Sequence, residues 1–479
     1  MTAREIVWNL LTEVNEQGVL SHVALSEAMA ANRPEGAERA LVTQLFHGTL
    51  ERQMTIDTVL MRQTGRPVSK IKTKIRNLLR MSVYQMLFLQ RIPAAAACNE
   101  AVTLAKKHGL AGLAGFVNGT LRGLDRAITA SGGQREFLLS VADAMPETER
   151  LSFLYSMPEW IVRLWREDFP KADLEAMLAS SFAERGVTIR WNKSRGSLED
   201  LIAELARDGA APMPDVLPNC LRLTGGGNPA ELTAYREGRF AVQDGSAALA
   251  GNLLPLRPGM RVLDLCAAPG GKTAHAADEL TALAAAQLTT DDGRTPDREG
   301  QEDFLIEARD NKEDKLPLIR ETVERQHFSN VQVCAADATV FDSEREAWAD
   351  VVIADVPCSG LGVIGRKPDV KYKTKPEDIK DLSEIQRAIV QNAVRYVKPG
   401  GYLSYSTCTV DKAENAAVAA SIASLGMTPV DLKDRMPKVM RESCERQEGF
   451  DGIGVQIFPE PGKWDGFYIA QFQKVESGV

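Results

Sequence analysis

The chain has 479 residues, 44% of them apolar and 25% charged, and a formal net charge of −8. That length exceeds one ordinary core and predicts two or three domains of a folded rather than a disordered protein. No apolar run approaches the roughly 20 residues of a membrane span, and the opening MTAREIVWNLLTEV carries Glu5 and Glu13 instead of the basic-then-apolar layout of a secretory leader, so a cytoplasmic protein is expected.

Taken in order, residues 3–127 read as helices. Ile6, Val7, Leu10, Leu11 and Val14 recur at helical spacing, and glycine-bearing breaks at Gly65–Pro67 and His108–Gly112 separate later periodic runs. Periodicity alone says helical bundle. Residues 1–140 hold 17 Lys and Arg against 11 Asp and Glu, so the acidic excess lies in the remainder. The basic residues concentrate in Met61–Arg80, which has seven of them and no acid. Ile71, Ile75, Leu78, Leu79, Met86 and Leu87 share an apolar face there, and Lys72, Arg76 and Arg80 share another. Such a stripe is either a phosphate track or a solvated helix face, and charge alone does not choose. TASGGQREFLL (Thr129–Leu139) reads as a linker closing a first domain over residues 1–140. Residues 141–237 read as a small α/β subdomain with Trp160 and Trp165 in its core, and residues 238–479 as a large α/β domain.

In that last domain, Arg261–Leu280 is strand, glycine-rich turn, then helix. Val262–Leu265 supply a buried strand. Pro269, Gly270 and Gly271 form a tight turn that lets a ligand approach the backbone, and helix N-terminal amides from Lys272 onward face it. Gly271-Lys272-Thr273 imitates the end of a phosphate-binding P-loop, but that loop needs a glycine where Cys266 stands. A nucleoside cofactor without a polyphosphate fits better. Three further runs each finish on a carboxylate: FLIEARD on Asp310, VQVCAAD on Asp337 and VVIAD on Asp355. In a doubly wound sheet such termini line the ligand cleft, where the acid after the second strand can take ribose hydroxyls. Gly454–Lys474 reads as a closing β-hairpin. The acidic, Pro- and Gly-bearing stretch Ala284–Asp303 reads as a mobile surface loop.

The seven cysteines (Cys98, Cys220, Cys266, Cys334, Cys358, Cys408 and Cys444) are odd in number and contain no C-x-x-C. They fit neither a disulfide framework nor a zinc site, and no metal is expected. Cys98, Cys220 and Cys444 read as small buried hydrophobes. Cys358, in VVIADVPCSG, and Cys408, in GGYLSYSTCTV, each follow a strand-like run. They are read as a catalytic pair. No histidine lies near either thiol in sequence, and Lys272 is a candidate activator by charge only.

Some of the wording is specific. LFHGTLERQMTIDTVL, RNLLRMSVYQMLFLQRIPAAAACNEAV and GLAGFVNGTLR closely resemble the NusB family, a small helical RNA-binding domain, over about 125 residues. That resemblance turns the basic stripe towards RNA contact. CAAPGGKT (Cys266–Thr273), Asp355-Val356-Pro357-Cys358 and Ser406-Thr407-Cys408, in that order, resemble the 5-methylcytosine RNA methyltransferase family. The NusB-like N-terminus points to its branch acting on small-subunit (16S) ribosomal RNA. The resemblance implies a multidomain chain: an all-α NusB-like bundle, a small α/β subdomain and an α/β Rossmann-like S-adenosylmethionine-dependent methyltransferase domain, with seven strands in its sheet. S-adenosylmethionine would be held by Cys266, Ala267, Ala268, Pro269, Gly270, Gly271 and Lys272. Asp310 would take the ribose, Asp337 would lie near the adenine, and Asp355 would sit between cofactor and base. A monomer that binds 16S ribosomal RNA and no membrane is expected.

The chemistry needs a thiol. Carbon 5 of cytosine is too poor a nucleophile to attack a methylsulfonium unaided, and a thiolate adding to carbon 6 pushes electron density onto it. A base must then remove the carbon 5 proton. The residues alone leave open which cysteine does which. The resemblance makes Cys408 the nucleophile, Cys358 the assistant in product release and Asp355 the hydrogen-bond partner of the base. The target must be unpaired or extruded, with phosphates held by the basic N-terminal domain and by RKPDVKYKTK (Arg366–Lys375). Two alternatives share these residues: a transfer RNA substrate, and a non-catalytic RNA-binding assembly factor, against which the intact thiols and cofactor loop speak. The chain departs from the family pattern in its 284–303 insertion, in Arg309 where an apolar residue would suit a strand, and in Gly365 and Lys367 where the family tends to have Arg and His.

Overall fold

A computed structural model describes residues 1–170, 172–183, 186–288 and 304–475. The chain forms two compact units. One comprises Met1–Glu167 with Leu178–Phe182 and Ile364–Thr374, and the other comprises Asp168–Met177, Ala183–Val363 and Lys375–Val479.

The first unit is helical. Its opening helix, Ala3–Glu16, starts at a capping box in which the Thr2 hydroxyl and the Glu5 carboxylate satisfy each other's backbone amides. Ile6, Val7, Leu10, Leu11 and Val14 all face the core, as their spacing predicts. The helix Thr73–Phe88 buries Ile75, Leu78, Leu79, Met86 and Leu87. Its basic stripe is not a free phosphate track. Arg80 is buried, with Nε and Nη2 each 2.7 Å from the two Asp57 carboxylate oxygens, and Arg76 pairs with Glu16. Only Lys72 of the three is exposed. The stretch expected as a linker also folds. Gly132 and Gly133 turn the chain at positive φ, and the helix Gln134–Ala142 then buries Phe137 and Val141, one turn apart, against the bundle. The glycine pair and the polar residues around it masked that short apolar face. Trp165 is buried and Trp160 half-buried.

The segment Ile364–Thr374 belongs to this helical unit. Asp369 accepts the Ser21 hydroxyl at 2.6 Å and pairs with Lys373 at 3.0 Å. Lys371 is 1% exposed and donates to the Glu51 carbonyl at 2.8 Å, while the Tyr372 hydroxyl donates to the Leu50 carbonyl. The lysine-rich run expected to meet RNA therefore spends Lys371 and Lys373 on internal partners.

The second unit holds two sheets. The smaller joins β1 (Val187–Trp191), β2 (Ala210–Pro214), β3 (Cys220–Gly225) and β4 (Phe240–Val242) in the order β2-β3-β1-β4, all antiparallel. The helix Leu198–Arg207 lays Leu201 and Leu205 on a core with Ile189, Leu221, Leu223 and Phe240. The larger sheet contains β5 (Arg261–Asp264), β6 (Leu305–Asp310), β7 (Val331–Ala335), β8 (Ala349–Asp355), β9 (Val397–Thr407), β10 (Met427–Pro429), β11 (Gly454–Ile457) and β12 (Phe467–Lys474). Its order is β10-β12-β9-β8-β5-β6-β7, with β11 also paired to β12. Strands β5 to β9 are parallel, and β12 runs antiparallel beside β9, with the closing hairpin in the expected place. The sheet has eight strands rather than seven. The addition, β10, is three residues long and ends in Pro429, a residue confined to sheet edges because it lacks an amide donor. The expected acidic loop falls largely outside the described residues, since the helix Gly271–Leu288 runs through its beginning and residues 289–303 are not described.

Candidate active site

Strand order locates the cleft. From β5 the chain moves outward through β6 to β7, then returns to build β8 and β9 on the other side. The switch point therefore lies between β5 and β8, and ligands bind at the carboxyl ends of the strands there. Asp264 ends β5, Asp310 ends β6 and Asp355 ends β8. Asp337 lies two residues beyond β7, exposed, its carboxylate taken up by the Thr339 amide and hydroxyl, which hold it below the usual range.

After β5, the loop Cys266–Gly271 turns sharply. It contains a cis peptide before Pro269 and a positive φ at Gly270, where a side chain would press against Thr322 and Ile319. Asp310 accepts the Ala268 amide at 3.4 Å and the Lys312 amide at 3.2 Å, which ties the end of β6 to this loop. Asp264 receives the Thr273 hydroxyl at 2.6 Å on one oxygen, while its other oxygen, Oδ1, is buried without a hydrogen-bond partner. Burial pushes its carboxyl up to about 7. Burial also pushes the Cys266 thiol up, consistent with a role in loop shape. An orphaned acceptor beside a glycine loop and a strand-end carboxylate is a donor-hungry set that suits a nucleoside cofactor.

The two thiols meet. β8 and β9 run parallel with Asp355 opposite Ser406, so the turns that follow carry Cys358 and Cys408 towards one another. Their Sγ atoms are 3.3 Å apart. The hydrogen bond with Cys408 and then burial hold the Cys358 thiol well above its ordinary value. The Cys408 carbonyl accepts the Gly362 amide, and the Gly362 carbonyl accepts the Gly466 amide. A side chain at Gly362 would collide with the Gly466 carbonyl, so glycine is required for that approach. Asp355 accepts the Ser406 hydroxyl at 2.7 Å and the Lys272 ammonium at 2.5 Å. Lys272 pairs with Asp355 and lies 5.0 Å from the Phe467 ring centroid.

Sequence reasoning missed several residues here. Asp264 obeys the same strand-end rule as Asp310 and Asp355, and that signal was available. Ser406 belongs to the Ser406-Thr407-Cys408 phrase, which gave it no role; on β9 it sits opposite Asp355 and donates to it. Glu414, Asn415 and Gln386 carry no local signal, because their partners are distant in sequence. Asn415 accepts the Thr407 hydroxyl and donates to the Thr409 carbonyl, strapping the turn that holds Cys408.

A mixed sheet of this order with its cleft at β5 and β8 is the Rossmann-like sheet of S-adenosylmethionine-dependent methyltransferases. Over the whole chain, the fold matches the crystal structure of PH0851 with a TM-score of 0.75 at 22% identity, covering 99% of each chain. A methyltransferase homologue from Pyrococcus horikoshii matches 69% of this chain and all of its own, with a TM-score of 0.55 at 20% identity. Family models match at residues 1–126 (NusB family), 157–228 (the ferredoxin-like domain of RsmF/B-like methyltransferases) and 300–473 (16S rRNA methyltransferase RsmB/F). The probable ribosomal RNA small subunit methyltransferase B of Bacillus subtilis is 31% identical over 99% of both chains. The chain belongs to the 16S rRNA methyltransferase RsmB/F family.

Proposed function

We propose that the protein methylates carbon 5 of a cytosine in 16S ribosomal RNA through a covalent adduct to Cys408. The observation that carries this reading is the contact of two thiols, 3.3 Å apart, at the ends of adjacent parallel strands, with Asp355 on the same edge. S-adenosylmethionine supplies an electrophilic methyl group when bound. The loop Cys266–Lys272, Asp310 on the ribose side and Asp337 on the adenine side are the groups that would hold it. The Cys408 thiolate adds to carbon 6, and the displaced electron pair makes carbon 5 the nucleophile. Asp355, positioned by Ser406 and Lys272, hydrogen-bonds the base. After transfer, a general base takes the carbon 5 proton, which restores the ring double bond and expels Cys408 as a thiolate, with Cys358 assisting release.

Mapping 5-methylcytosine in ribosomal and transfer RNA from cells with and without the gene tests the substrate: a loss confined to 16S RNA is expected, and a loss confined to transfer RNA overturns it. Cys408→Ala abolishes transfer while cofactor binding survives, and Cys358→Ala accumulates a protein–RNA adduct on denaturing gels. Near-normal turnover of Cys408→Ala sinks the nucleophile assignment.

A further inference from the structure

Neither thiol-bearing turn is held in place by strand pairing alone. Cys358 lies three residues beyond the end of β8 and Cys408 one beyond β9, and their neighbours converge on one side chain. Glu414 is fully buried. One of its carboxylate oxygens accepts the Ser359 amide at 2.9 Å and the Gln386 side-chain amide at 2.9 Å. The other accepts the Ser359 hydroxyl, and that hydroxyl also meets the Thr409 hydroxyl at 2.6 Å. Gln386, on the long helix Pro376–Tyr396, donates in addition to the Pro357 carbonyl at 2.9 Å. Residues 357, 359 and 409, which flank the two cysteines, are thus joined through one carboxylate. Glu414 itself is fixed by its amide, which donates to Asp411, and by its carbonyl, which accepts the Tyr405 hydroxyl.

We propose that Glu414 is the positioning residue of the thiol pair: by bridging Ser359 and Gln386 to Thr409, which bonds both Glu414 and the Ser359 hydroxyl, it clamps the Cys358 turn against the Cys408 turn. The inference rests on the methyltransferase reading above but reaches a residue that touches neither base nor cofactor. A buried polar network of this kind is rigid only while every member is satisfied. Removing the carboxylate takes one acceptor from each of the Ser359 amide, the Ser359 hydroxyl and the Gln386 side-chain amide, and the Cys358 turn relaxes.

The test separates position from activity. Diamide takes two electrons and two protons from a pair of thiols, forming a disulfide and a hydrazine, and its rate on the Cys358–Cys408 pair reports their juxtaposition without RNA or cofactor. Glu414→Ala is expected to slow this cross-link at least fivefold and to lower kcat about 10- to 100-fold, as a misplacement near 1 Å does, with the KM for RNA and the affinity for S-adenosylmethionine unchanged within about twofold. Glu414→Gln can accept from both amides and donate to the Ser359 hydroxyl, so it restores the cross-linking rate. Ser359→Ala, which keeps the backbone bond and deletes the hydroxyl bridge to Thr409, moves both readouts in the same direction and decides the matter if Glu414→Ala does not fold. Wild-type cross-linking in Glu414→Ala or Ser359→Ala overturns the proposal, as does Glu414→Gln cross-linking as slowly as Glu414→Ala. Should the wild-type protein fail to methylate RNA, the cross-linking comparison still stands or falls by itself.

Discussion

Replacing Asp278 tests how the small sheet is tied to the helix that begins in the cofactor loop. Asp278 lies on Gly271–Leu288, and Arg190 lies on β1. Both side chains are completely buried and 3.1 Å apart. The same carboxylate accepts the Lys193 amide at 3.0 Å, the Ser194 amide at 2.9 Å and the Ser194 hydroxyl at 2.6 Å. Arg190 Nε also donates to the Gln243 side-chain carbonyl at 2.9 Å. Asp278→Ala therefore strands a buried guanidinium and three donors. Breaking one partner of a buried pair costs about 3–5 kcal/mol, which for a unit of this size lowers the melting temperature by on the order of 10 °C. Differential scanning calorimetry of wild type, Asp278→Ala, Arg190→Met and the double variant measures both the loss and the coupling. Arg190→Met in the Asp278→Ala background should recover part of it, since the stranded charge is gone. A loss under about 2 °C in Asp278→Ala, well below that expectation, or additive single losses, would show that the pair does not bind the small sheet to the cofactor-loop helix.

Two buried ionisable groups give opposite pH signatures. Burial lowers the Lys371 ammonium from 10.5 to about 7, so the folded state binds fewer protons than the unfolded chain between those values and gains stability as pH rises through them, by up to about 5 kcal/mol. The advantage of Lys371→Met over wild type in melting temperature should accordingly be largest near pH 7 and shrink towards pH 10; a constant difference refutes a buried amine. Asp264, raised from 3.8 to about 7, binds more protons folded than unfolded across that window, so its contribution is present below pH 4 and lost as pH rises through 7, by up to about 4 kcal/mol. Asp264→Asn should gain on wild type between pH 4 and 7 in cofactor-free melts, and parallel curves would exclude the orphaned carboxylate as the cause.

The cleft was legible because strand ends are a one-dimensional signal. A buried run followed by a carboxylate or a thiol is visible in eleven residues, and the parallel pairing of β8 with β9 then brings Cys358 to Cys408 across 50 positions of chain. What surrounds the thiols was not legible, because a hydrogen-bond partner is chosen by the fold and not by spacing. Glu414 meets Ser359 across 55 residues and Gln386 across 28. The pairing of the basic stripe was hidden for the same reason. Lys72, Arg76 and Arg80 do align on a helix, yet Arg80 is claimed by Asp57 from another helix, and charge periodicity holds no record of that partner. Lys371 extends the point, since its run reads as a phosphate contact until Ile364–Thr374 is assigned to the helical unit and Lys371 proves buried. A charged residue's solvent exposure follows from its partner, whereas a nucleophile's position follows from its strand. Sequence therefore foretold the meeting of the two thiols, while the burial of Arg80 and Lys371 needed the fold. The basic residues that bind RNA must be sought among those left without an internal partner, and Lys72 remains exposed while its two stripe-mates do not.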